Sequence, residues 1–75
     1  MRLSELAIGQ YGTVAGIRAD FELRRRLQDI GLTEGTKVCH LFTSPLGDPL
    51  AYKIRGAVIA LRRKDAQQVS VWEVT

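Results

Sequence analysis

The chain has 75 residues, 45% apolar and 25% charged, with a net charge of +3 and one cysteine. That is enough for one domain spanning residues 1–75, and the balance excludes disorder. It also excludes a disulfide framework, and no apolar run nears the ~18 residues that membrane insertion requires.

The N-terminus, MRLSELAIGQYG, is too broken by polar residues for a signal peptide. With the lone cysteine, this points to a reducing, cytoplasmic setting. Leu3 and Leu6 are spaced for one helical turn that plugs the end of a core. Gly9 and Gly12 bracket a turn, and Thr13 to Ala19 reads as a strand with Val14 and Ile17 inward and Gly16 at a bulge.

Asp20 is a good helix N-cap. Leu23, Leu27 and Ile30 follow at i, i+4 and i+7, so residues 20–31 read as one amphipathic helix. Gly31 is placed to end it in a left-handed conformation, with Leu32 folding back against Leu27.

Thr36 to Thr43 reads as a strand. A tight connection follows, PLGDP, which holds both prolines of the chain, Pro45 and Pro49. Leu50 to Arg55 alternates as a strand with Leu50, Tyr52 and Ile54 on one face. After a turn at Gly56, Ala57 to Arg63 is apolar on both faces and reads as a central strand. Lys64 to Ala66 forms a turn, and Gln68 to Val74 is the last strand. The expected fold is therefore mainly β: about five strands and one inserted helix. A small SH3-like or OB-like barrel removes the exposed sheet edges that so many short strands create.

The residues LRRRLQDIGLTEGTKV (23–38), then PLGDP (45–49), then IRGAVIALRRKDA (54–66) resemble the ferrous iron transport protein A (FeoA) family. The resemblance runs from about Leu3 to Val74. It implies an SH3-like barrel and a cytosolic accessory role beside a membrane transporter of ferrous iron that carries a GTP-binding domain. It also implies that the chain has no chemistry of its own. His40 and Phe42 depart from the family pattern, where aliphatic or charged residues are expected.

The residues themselves agree with a non-enzymatic reading. No serine has a base beside it, because the single histidine, His40, lies within a strand. Asp48 is expected to satisfy turn backbone rather than act as a base. There is no P-loop, and Gly35, Thr36 and Lys37 stand in the wrong order for one, so no nucleotide cofactor is expected. The metal candidates are Cys39, His40 and Asp48. Adjacent strand residues face opposite ways, so Cys39 and His40 cannot easily hold one ion, and the expectation is weak transition-metal binding at most.

The surfaces left for function are two. Leu46 stands at the tip of PLGDP, where water favours a polar residue, with Phe42, Leu50 and Tyr52 on the flanking strands. Phe42, Pro45, Leu46, Gly47, Asp48, Pro49, Leu50 and Tyr52 are therefore the expected contact surface for the cytosolic part of the transporter. Arg24, Arg25 and Arg26 form a second, splayed surface, about 100° apart around the helix. Nucleic acid is not expected, because aromatics do not interleave with the basic runs. Two other readings stand beside this one: a metal-responsive transcriptional regulator or nucleic-acid-binding barrel, which the resemblance implies because a similar SH3-like module occurs in metal-dependent repressors, and self-association through a sheet edge or the PLGDP patch.

Overall fold

A computed structural model describes residues 1–74. A 3₁₀ turn at Leu3–Glu5 leads into β1 (Tyr11–Ile17), α1 (Phe21–Asp29), β2 (Lys37–Thr43), β3 (Leu50–Ile54) and β4 (Ala57–Leu61). A four-residue helix, α2 (Arg63–Ala66), precedes β5 (Val69–Val74). The five strands form one antiparallel sheet in the order β4–β3–β2–β1–β5.

Inward residues from all five strands meet in a single cluster. Val14, Val38, Leu50, Tyr52, Ile54, Leu61, Val69 and Val71 contribute from the sheet, and Leu3, Leu6, Leu27, Leu32 and Ala66 close it from the turn, the helices and a loop. This is the mainly β, five-stranded architecture expected, with the helix inserted between β1 and β2.

The helix ends as its sequence dictates. The Asp20 carboxylate accepts from Leu23 N at 2.9 Å, and Gly31 has φ = 104°. Leu32 N donates to Leu27 O and Gly31 N donates to Gln28 O, both at 3.0 Å, the two bonds of a Schellman ending. Leu32 and Leu27 are both buried. The bulge expected near Gly16 is present as a register shift between Val14 and Gly16 against β5.

Three readings are corrected. β1 begins at Tyr11, so Gly12 lies inside the strand rather than at a turn. β4 is an edge strand, not a central one. Its apolar run is misleading because only Leu61 is buried, while Ala57, Val58 and Ala60 are exposed. The strand expected to run to Arg63 stops at Leu61, and Arg63 opens α2. Four residues are too short a run for helical periodicity to show in the sequence.

Candidate functional site

The β2–β3 connection is built by local chemistry and then braced from a distance. Gly47 N donates to Ser44 O at 2.8 Å, closing a β-turn with Pro45 at its second position, where the ring presets φ. Gly47 follows with φ = 86°, a conformation that favours glycine. Ser44 N donates to Pro49 O at 3.1 Å and closes the loop base. Leu46, third in the turn, projects outward and is 95% exposed.

The bracing comes from α2. Arg63 N donates to Asp48 Oδ1 at 2.9 Å, and the Arg63 guanidinium donates to Gly47 O at 3.0 Å. Asp48 thus satisfies a free N–H at the start of α2, the backbone role expected of it, though in another segment. Nothing in the sequence spacing signals Arg63 as its partner.

The expected contact surface divides in two. Phe42 is 54% exposed, whereas Leu50 and Tyr52 are 0% exposed. Leu50 and Tyr52 are therefore core residues and are removed from the surface. A register shift between His40 and Phe42 places Phe42 opposite Ala51 on the outer face, while His40 stays opposite Tyr52 on the inner one.

His40 and Tyr52 instead hold the N-terminal segment in place. His40 Nδ1 lies 2.8 Å from Leu6 O. A carbonyl can only accept, so Nδ1 carries a proton, and Nε2 lies 3.2 Å from the Thr43 hydroxyl. Tyr52 Oη donates to Leu3 O at 3.2 Å, and its ring lies 5.0 Å from that of His40. Burial pushes the Tyr52 hydroxyl up to about 12, with Arg63 opposing the shift. Cys39 is also buried but faces outward, in register with Tyr11 and Lys53. Cys39 and His40 thus point away from each other, and no cluster of three metal-ligating side chains occurs among the described residues.

Arg24, Arg25 and Arg26 are all exposed and diverge. Arg24 and Arg25 border a shallow groove with Phe21, Gln28 and Asp29. Arg26 faces the other way, towards Asp20, Glu22, Arg62 and Asp65. Lys64 and Asp65 of α2 line the Arg26 groove, and Arg63 of the same helix holds the loop. Phe21, 76% exposed beside Arg24 and Arg25, was missed. Its signal was available: an aromatic residue directly after the N-cap, off the Leu23–Leu27–Ile30 stripe.

With this geometry in hand, the chain can be set beside known proteins. The FeoA domain family matches residues 1–72. The chain belongs to the FeoA domain family. A Porphyromonas gingivalis protein described as an Fe(2+) transport protein A/Fe(2+) transporter FeoB fusion is 32% identical over 71 residues. That match takes in 95% of this chain and 8% of the fusion, so the chain spans a small fraction of that relative's length. Among solved structures, the Chlorobium tepidum FeoA protein superposes with a TM-score of 0.93 at 37% identity, over 100% of this chain and 71% of that one. The Stenotrophomonas maltophilia FeoA, solved with zinc and described as a procaryotic SH3 domain protein, gives 0.83 at 31% identity over 95% and 88%. Both neighbours are FeoA proteins, and the SH3-like barrel is the fold of this chain too. Among the described residues, no helix is long and apolar enough to cross a membrane.

Proposed function

We propose that the chain is a non-enzymatic accessory module of ferrous iron uptake, acting on the cytosolic side upon the GTP-binding part of a membrane iron transporter. The observation that carries this reading is the fusion relative, in which a matching domain and a FeoB transporter share one polypeptide. Fusion makes the two parts permanent neighbours at high effective concentration. The Stenotrophomonas maltophilia neighbour, put forward as a ferrous iron transport activating factor, supports the same direction.

The contact surface in this reading is the braced loop: Pro45, Leu46, Gly47, Asp48 and Pro49, with Phe42 beside it. Leu46 presents an apolar anchor, and the bonds from Arg63 hold the loop in one shape before binding, which lowers the ordering cost. Arg24, Arg25 and Arg26 form a second, electrostatic surface with Phe21. The chain supplies no catalytic chemistry and no resident metal. Cys39 lies outward and His40 inward with both nitrogens engaged, so any transition-metal binding is weak.

The test is an NMR titration of the ¹⁵N-labelled chain with the cytosolic domain of the cognate transporter, nucleotide-free and GTP-loaded. Shifts are expected at Phe42 and at residues 44–48, and a difference between the two states would show that nucleotide is sensed. Shifts confined to the opposite face, or none in either state, would overturn loop docking on that domain.

A further inference from the structure

The two edges of the sheet are treated differently. At β5, Met1 exchanges backbone hydrogen bonds with Val71 at 3.1 and 2.8 Å, and Arg2 bridges to Ser70. The chain thus covers its own β5 edge. Among the described residues β4, at the other end, pairs only with β3.

The β3–β4 hairpin closes on Ile54 and Ala57 across Arg55 and Gly56, both with positive φ. A two-residue hairpin closes on a hydrogen-bonded pair, and such pairs alternate along an antiparallel ladder. Ala57, Ile59 and Leu61 therefore bond to β3. The N–H and C=O groups of Val58 and Ala60 point away from the sheet, and among the described residues no other segment's backbone reaches them. Natural edges are usually blunted by a lysine, a proline or a bulge. β4 reads AVIAL, with none of these and an unbroken register, and Val58 is 62% exposed.

The residues that flank this edge in the chain are basic, with Glu34 bordering Arg55, and Asp20, Glu22 and Asp65 bordering Arg62 and Lys64. Arg55 precedes β4, Arg62 and Lys64 follow it, and all three are exposed. Lys53 lies opposite Val58 on the outer face, where a shallow cleft also takes in Lys37 and Arg55 and no carboxylate. A second copy added by two-fold symmetry would run antiparallel to β4. It would set Arg55 of one copy against Arg62 and Lys64 of the other, an arrangement that repels.

We infer that β4 accepts, by strand addition, an extended apolar segment of a partner protein bracketed by acidic residues. The main chain of Val58 and Ala60 supplies the ladder, and the basic residues at both ends set register and orientation. The segment spans about five residues, roughly 17 Å. This does not rest on the transporter reading, because the edge and its charges define the partner by chemistry alone.

The probe is a capped synthetic peptide, Asp-Glu-Val-Thr-Val-Thr-Val-Glu-Asp, titrated into the ¹⁵N-labelled full chain. Expected are shifts and slowed hydrogen exchange at the Val58 and Ala60 amides. The same peptide with lysines in place of its acids should bind at least about tenfold more weakly. Val58→Pro removes only an outward-facing donor, so it should abolish binding and keep the β3 ladder. Should that variant not fold, protection of Val58 and Ala60 in the natural chain decides the matter. No shift up to about 1 mM peptide, or shifts away from β4, would overturn the inference. So would a concentration-dependent dimer that protects these amides without peptide, which would assign the edge to a second copy.

Discussion

The Asp48 carboxylate caps the N–H of Arg63, 15 residues further along the chain, and the Arg63 side chain returns a bond to the carbonyl of Gly47. This reciprocal pair turns a five-residue loop into a rigid platform. It also explains why an aspartate stands between a glycine and a proline. Asp48→Ala should cost about 1 kcal/mol, the usual effect of losing a capping side chain, and lower Tm by roughly 4–8 °C. Binding to the transporter domain should weaken as well, because the loop loses its brace. A thermal melt paired with the titration checks both, and Asp48→Asn should restore most of the stability.

Leu46 and Leu50 lie four residues apart, yet one is 95% exposed and the other 0%. Leu46→Asp should leave the melt within about 0.5 kcal/mol of the natural chain and abolish docking. Leu50→Ala should cost about 2–5 kcal/mol and leave little folded protein. If Leu46→Asp unfolds the chain, the loop is part of the core and the docking surface is wrong.

Two glycines should respond in opposite directions to alanine. At Gly31, φ is 104° and an added Cβ would approach Ile54 Cγ2 and Arg55 Cδ at 3.1 Å. Gly31→Ala should therefore cost about 1–2 kcal/mol. Gly16 has no positive φ and nothing within 4 Å of an added Cβ, so Gly16→Ala should stabilise by about 0.4–1 kcal/mol. Urea unfolding of both variants measures the contrast.

Tyr52 makes the alkaline limb of stability predictable. Its hydroxyl is buried, which pushes its ionisation from 10.0 up to about 12. Between those values the unfolded chain has lost the proton and the folded chain keeps it. Stability from this group is therefore complete below pH 10 and disappears as pH rises through about 12, by roughly 3 kcal/mol. Tyr52→Phe should flatten that limb. It should also cost about 1–2 kcal/mol at neutral pH, because the Leu3 carbonyl loses its donor. Unfolding curves collected between pH 8 and pH 12 test both effects.

Metal titration should find no tight site in the described core. Both His40 nitrogens are engaged, by Leu6 O and Thr43 Oγ1, and Cys39 faces the other side of the sheet. Calorimetry with Zn²⁺ should show no one-to-one micromolar binding. If it does, His40→Gln will tell whether the histidine has left its hydrogen bonds to serve as the ligand.

The sequence by itself settled what depends on neighbours a few residues away. Asp20 and Gly31 bound α1 because a cap and a Schellman ending are made within one turn of the chain. The alternation Leu50–Tyr52–Ile54 marked one face of β3, and the turn at Pro45 and Leu46 was legible because proline presets its own φ. The exposure of Leu46 at the loop tip was also within reach. Tertiary structure decided everything that depends on pairing with distant strands. A shift of one residue between His40 and Phe42 sends one side chain inward and the next outer position to solvent, and no local signal records it. Leu50 and Tyr52 are in the core rather than at the partner surface because their register with β2 and β4 turns them inward. The apolar run of β4 looked central because it is apolar on both faces. It is an edge because the 3₁₀ turn, α2 and β5 complete the core from the other end of the sheet, and a strand's place in a sheet is set by its partners rather than by its own residues.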